Sequence, residues 1–269
     1  MIVAAILVFY LTKGTALYAF QRNFLYVPYH DAVVAPPTVT PPVKVVTVTT
    51  NDGLQLQTWF SPPAKPDGTV VVFFHGNGGS LPMSAQILPY FQKRGYGIYL
   101  CEYRGYSGNP GSPTEEGLYE DGRACMKWLQ GEGYSPGQIA IYGESIGTGV
   151  AVQMAAEMPP KTLILTSPFT SMVDMARRNY YFYPVGLMLK DKYDSLSKIG
   201  KIKSPLLILH GDADGMVPMD MGKGLFDAAN EPKEFHSVHG AGHNDLYSFG
   251  ASKIIAAWLD KELPSERQK

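Results

Sequence analysis

The sequence predicts one α/β domain: a mostly parallel central sheet of about eight strands with helices on both faces, preceded by an N-terminal apolar helix. Three observations carry that expectation. Short apolar, β-branched runs alternate with helix-length patterns through residues 43–262, and repeated strand–helix units build parallel sheets. A hairpin signal, Asn51-Asp52-Gly53, opens the series between two strand-like segments. A chain of 269 residues suits one large domain better than two.

The hairpin strands are expected at 43–50 and 54–60. Residues 69–74 form a continuous apolar run, and the lack of alternation marks a strand buried on both faces. Further strands are expected at 97–100, 138–142, 162–166 and 205–209, with a more amphipathic one at 233–238. Helical patterns occupy 81–94, 115–129, 146–158, 220–229 and 247–259. Ligands of such sheets bind beyond the carboxyl ends of the strands, so the loops there are where chemistry is sought.

Residues 1–11 carry no polar side chain except the Tyr10 hydroxyl. Thr12, Lys13, Gly14 and Thr15 interrupt, and an apolar run resumes to Phe20. The stretch is long enough to span a bilayer, and a single Lys within it costs a few kcal/mol. Residues 1–20 are therefore expected to be a single-pass membrane anchor. A cleaved signal peptide, with a secreted or periplasmic product, and a soluble terminal helix are the competing readings. No basic segment precedes the apolar core, as a signal peptide requires, and no polar face is available for water. Residues 21–42 read as an interfacial collar, with Arg22, Phe24 and Tyr26, followed by a linker marked by Pro36, Pro37, Pro41 and Pro42. Lys13 and Arg22 follow the apolar start, so charge gives no firm topology. Residues 43–262 would be the main domain, and a chain starting near Val33 is expected to be soluble.

Net charge is -1 with no polybasic run, which argues against a nucleic-acid partner. Cys101 and Cys125 form no CxxC pair and no zinc spacing. Cys101 lies in an apolar run and reads as a buried thiol.

The chemistry centres on Gly143-Glu144-Ser145-Ile146-Gly147, a G-x-S-x-G between a strand and a helix. Such a turn is sharp enough to need the glycines and leaves a strained, exposed serine beside a helix N-terminus. His75-Gly76-Asn77-Gly78-Gly79 follows a buried strand, where close backbone approach would supply the first half of an oxyanion hole. The Asn77 and Ile146 amides are assigned as the two donors. His75 is better read as shaping this loop than as a base. Asp212 and Asp214 lie just past a third buried strand, and either can orient a histidine. His243 sits in a Gly-flanked loop before the last helical pattern; His236 and His239 are its competitors.

Serine, acid and histidine in this order resemble the α/β-hydrolase fold serine hydrolases over about residues 43–259. In that family the acid is usually the last residue of an H-G-x-x-D turn. His210-Gly211-Asp212-Ala213-Asp214 then implies Asp214, with Asp212 as fallback. Gly240-Ala241-Gly242-His243 likewise resembles the turn that carries the family's histidine. The stretches Glu102-Tyr103-Arg104-Gly105-Tyr106-Ser107-Gly108 and 111–118 resemble a membrane-anchored branch that includes protein depalmitoylases, although Asp is commoner there where Glu102 stands. Glu102 and Arg104 are read as a loop-fixing network.

The resemblance implies a serine esterase or thioesterase using Ser145, His243 and Asp214, without a metal or organic cofactor, on ester, thioester or lipid-like substrates. A serine peptidase of the same fold and a non-catalytic binding protein are the alternatives. Residues 167–204 should decide the substrate. Their aromatic and aliphatic stretch, 179–189, reads either as ordinary core with a helix start or as an apolar acyl-binding wall. It is too short for a large lid.

Overall fold

A computed structural model describes residues 1–28 and 42–262. The chain opens with α1 (Ile2–Leu25). The hairpin strands β1 (Lys44–Thr49) and β2 (Gln55–Ser61) follow, then β3 (Val70–Phe74). Two short helices, α2 (Leu81–Ser84) and α3 (Leu88–Gln92), precede β4 (Gly97–Cys101) and the long α4 (Glu115–Gly131). The centre of the fold is β5 (Ile139–Glu144), α5 (Ile146–Glu157) and β6 (Thr162–Thr166). A cap segment carries α6 (Met172–Asn179), α7 (Val185–Met188) and α8 (Leu196–Ile199). The chain closes with β7 (Leu206–Gly211), α9 (Met219–Ala228), β8 (Lys233–Val238) and α10 (Ala251–Glu262).

The strands form one eight-stranded sheet in the order β1-β2-β4-β3-β5-β6-β7-β8. β1, β2 and β4 pair antiparallel and every later pair is parallel. Every residue of β3 and β4 is buried, which accounts for their unbroken apolar sequence: both faces are covered. Because side chains alternate across a strand, each contributes to two cores. Val70, Val72, Phe74, Tyr99, Ile141, Leu163 and Ile208 face α4, α5 and α9. Val71, Phe73, Ile98, Leu100, Tyr142, Ile164 and Leu207 face α3 and α10.

Three elements differ from expectation. The helix expected over 81–94 is broken into α2, a 3-10 turn at Ala85–Ile87, and α3. Pro82 and Pro89 each stand in the first turn of a short helix, where the missing N–H costs nothing, but Pro89 cannot continue an earlier helix. The last helix starts at Ala251 rather than 247, behind Gly250 at φ 93°. α1 continues through Leu25, so the first collar residues form its final turn. Among the described residues it is the one helix long and apolar enough to cross a membrane, a property that anchors share with signal sequences. Pro36, Pro37 and Pro41 of the expected linker lie outside the described residues.

The parallel strands deliver the loops after β3, β5, β7 and β8 to one edge of the sheet, their carboxyl ends. These loops carry Asn77, Ser145, Asp214 and His243.

Candidate active site

Ser145 sits between β5 and α5 with φ 51° and ψ -121°, a conformation costly for a non-glycine residue. Its N–H donates to Thr166 O (3.0 Å), and the Thr148 hydroxyl donates to its carbonyl (2.6 Å). The two glycines of the turn have no room for a side chain. A Cβ on Gly147 would lie 2.1 Å from Phe74 O, and one on Gly143 would lie 2.6 Å from the Ala151 Cβ. α5 is thus pressed directly against the end of β3. Gly147→Ala is expected to lower stability by about 3 kcal/mol or more, roughly 6–12 °C in Tm. Gly131→Ala, with nothing within 4 Å of the added carbon, should leave the melting curve unchanged; equal melting of the two variants would refute the close packing.

His243 completes a chain of contacts. Its Nδ1 lies 2.8 Å from Asp214 Oδ2 and its Nε2 2.9 Å from Ser145 Oγ. In the Nδ1–H tautomer the ring donates to the carboxylate and accepts from the serine hydroxyl. The loops are brought together by backbone: Ala213 N–H donates to Ala241 O (3.0 Å), and Gly211 is so close to Ala241 O that a Cβ would stand 2.2 Å away. Asp214 has a fully buried side chain. Its Oδ1 accepts the Met216 and Val217 N–H groups at 2.9 and 2.8 Å. Burial opposes its ionised form, but hydrogen bonds from His210, His243 and the Val217 amide outweigh that and hold the carboxyl well below the usual carboxylate range.

The other candidates fall elsewhere. Asp212 accepts from His239 Nδ1 (2.8 Å) and Gly240 N (2.7 Å), and the His239 side chain is fully exposed. His236 pairs with Glu234 at 3.2 Å on the half-exposed strand β8. His75 lies beneath the loop it precedes, with Nε2 at 2.5 Å from Glu102 Oε1 and Nδ1 at 2.8 Å from Gly76 O. Burial disfavours its charged ring, yet the Glu102 carboxylate prevails and raises its pKa. Glu102 also accepts the Leu81 and Tyr103 N–H groups and the Ser107 hydroxyl. Arg104 bridges Asp121 and Asp52 at 2.7–3.0 Å. These two networks fix the loops after β3 and β4, as the sequence suggested.

Gly76 packs against the Ser145 turn, its would-be Cβ 3.3 Å from Ser145 Cβ. The next amide, that of Asn77, donates to no protein acceptor among the described residues. Ile146 is the first residue of α5, so its N–H has no intrahelical acceptor. Both amides are thus without a backbone acceptor among the described residues.

Sequence reasoning missed what the Asn77 side chain does. Its Nδ2 donates to Leu25 O (2.6 Å), and its Oδ1 accepts from Val27 N–H (2.8 Å) and the Tyr106 hydroxyl (2.9 Å). The end of α1 is therefore fastened to the loop beside Ser145. Nearby, Tyr26 shares a hydrogen bond with Tyr193 (2.9 Å), a fully buried residue at φ 42° that packs on Gly149 of α5. Partners 29 to 167 positions apart leave no local signal. Glu144 was also passed over: it is half-buried beside Gly76, and burial pushes its carboxyl pKa up.

Residues 69–184 match the family model described as alpha/beta hydrolase fold. The chain is 38% identical over 233 residues to an uncharacterised protein of Mycobacterium tuberculosis, covering 86% of this chain and 83% of that one. It is 36% identical over 196 residues to alpha/beta hydrolase domain-containing protein 17B of Homo sapiens, covering 71% of this chain and 64% of that protein. Among solved structures, a Pyrococcus furiosus esterase superposes with TM-score 0.68 at 21% identity, over 86% of this chain and 98% of that chain. A puromycin-hydrolysing peptidase of Mycobacterium tuberculosis gives 0.69 at 20%, over 84% and 40%. The two structures share the fold of the present protein, and the family model together with the sequence relatives establishes that the chain belongs to the α/β-hydrolase fold family.

Proposed function

We propose that the protein is a serine hydrolase that cleaves carboxylic esters or thioesters through an acyl-enzyme. The observation that carries the reading is the unbroken chain Ser145 Oγ, His243, Asp214 at 2.9 and 2.8 Å. His243 takes the proton of Ser145 as its oxygen attacks the carbonyl carbon. Negative charge develops on the carbonyl oxygen, where the Asn77 and Ile146 amides, preorganised and without other acceptors, stabilise it. His243 then gives the proton to the leaving alcohol or thiol. Water, deprotonated by the same ring, releases the acid. Asp214, ionised throughout, holds the ring's tautomer and favours the imidazolium formed in each step.

An apolar acyl group suits the cap, where Tyr180, Tyr181, Phe182 and Leu187 are all exposed. α1 supports a membrane anchor ahead of a catalytic domain over residues 43–262, which would place that cap where acyl chains are presented. The resemblance to protein 17B supports the same reading. The test is a series of esters and thioesters of increasing acyl length, with fluorophosphonate labelling. Labelling at Ser145 with turnover that rises with chain length is expected. Turnover of peptides alone would make the protein a peptidase; no labelling and no turnover would leave a binding protein on a hydrolase fold.

A further inference from the structure

We propose that the cap segment from Tyr180 to Leu187 enters the bilayer alongside α1, so that helix and cap form one continuous lipid-facing surface leading to the site. The proposal rests on the reading of α1 as a membrane anchor.

α1 is docked along most of its length. The residues that turn toward the domain are Tyr10, Gly14, Leu17, Gln21 and Leu25, a stripe at helical spacing. Tyr10 stacks on Tyr183 at 4.5 Å, its hydroxyl donates to Phe182 O (2.8 Å), and the Tyr183 hydroxyl donates to Tyr10 O (2.9 Å). A Cβ on Gly14 would come within 2.9 Å of the Tyr183 ring. Gln21 bonds Met188 O and Lys190 N, and Arg22 forms a two-point ion pair with Asp191 at 2.7 and 3.1 Å. The rest of the helix surface is exposed and, apart from Thr12, Lys13, Thr15, Arg22 and Asn23, apolar, including Ile2, Ile6, Phe9, Leu11, Phe20 and Phe24.

Length then decides the matter. Within α1, the turns ahead of Tyr10, residues 2–9, stand free of the domain. At 1.5 Å per residue they reach about 12 Å, less than half of a hydrocarbon core of about 30 Å. α1 cannot cross, or enter deeply, without drawing its docked part in. Phe182 and Tyr183, bonded to Tyr10, must go with it.

The cap is composed for that position. From residue 180 to 189 there is no Asp, Glu, Lys, Arg or His, and the run is bounded by Arg177 and Arg178 on one side and Lys190 and Lys192 on the other. Tyr181 and Leu187 are 81% and 89% exposed, a poor arrangement in water and a natural one in lipid, with aromatic and basic residues at the border. Irregular backbone in lipid needs its polar groups paired. Here Tyr10 and Gln21 cover the Phe182 and Met188 carbonyls, and the amides of Tyr183, Val185, Leu187 and Leu189 bond to carbonyls within the cap. At the opposite end, Leu25 and Val27 bond Asn77, so the reacting serine lies where α1 leaves the apolar phase.

The test uses full-length protein in phosphatidylcholine vesicles with or without mid-chain bromines, which quench tryptophan on contact. Single variants Phe9→Trp, Leu187→Trp and Lys127→Trp, the last on exposed α4, report on helix, cap and far surface. Bromine-dependent quenching at 9 and 187 but not at 127 is expected. Quenching at 9 without quenching at 187 would overturn the proposal and keep the anchor. Quenching at neither would overturn the anchor reading and the proposal with it. In parallel, Leu187→Asp should slow turnover of a long-chain ester carried in vesicles roughly tenfold or more beyond any loss on the same ester dispersed in detergent; equal losses in both would overturn the cap's membrane role.

Discussion

Ser145→Ala is expected to lower ester hydrolysis by roughly 10^4- to 10^6-fold and to abolish fluorophosphonate labelling. The change should leave the fold intact. Among the described residues the serine hydroxyl bonds His243 Nε2 alone, while the turn is held by backbone: Ser145 N–H on Thr166 O, α5 against Phe74 O. Alanine bears the same positive φ at a similar cost. The two open amides survive the substitution, so some residual rate above that in water should persist, as preorganised donors still receive the oxyanion. Measuring kcat/KM alongside a melting curve checks both halves. A variant that melts normally and still hydrolyses at near the native rate would remove Ser145 from the mechanism.

Asp214→Asn should be nearly as damaging, with kcat down about 10^4-fold, whereas Asp212→Asn should stay within a few-fold of native. The first effect follows from how the carboxylate is held. Oδ1 accepts two backbone N–H groups, so an asparagine would keep its carbonyl there and turn its NH2 toward His243 Nδ1. That nitrogen must then accept, and the proton moves to Nε2, where it faces the serine and blocks deprotonation. The second follows from the surface position of the Asp212–His239 pair, since exposed pairs contribute little. Steady-state kinetics on one ester decides between them. A mild Asp214→Asn beside a severe Asp212→Asn would reassign the acid.

Most of the sheet could be read from the chain because buried parallel strands are written as uninterrupted apolar runs. β6 and β8 fall at their expected residues, and β3, β5 and β7 within a residue or two. The residues of the candidate site could be picked out for a related reason. A sharp strand-to-helix turn demands glycines on both sides of Ser145, and the acid and histidine loops follow strands whose ends coincide in space. What stayed hidden was set by tertiary contact. The break in 81–94 depended on two prolines whose places within short helices a periodicity cannot assign. α6 begins at Ser171, whose hydroxyl caps Asp174 N–H at 3.0 Å, a local signal that the aromatic density just beyond it overshadowed. The bonds of Asn77 to Leu25 and Val27, and of Arg22 to Asp191, join segments with no sequence proximity and no shared pattern.

Those bonds change what the first residues are. A proline-marked stretch after an apolar helix suggested a linker, a short leash between an anchor and the domain. α1 behaves instead as a strut, gripped at Tyr10, Gln21, Arg22, Tyr26 and Val27. Cutting it away would bare Tyr183, Asp191 and Tyr193 and release the loop that offers the Asn77 amide. A leashed enzyme sweeps a hemisphere above the surface that holds it. If α1 is the proposed anchor, the strut would keep Ser145 at one fixed height and angle, and the proposed hydrolase would select bonds by where they sit as well as by what they are.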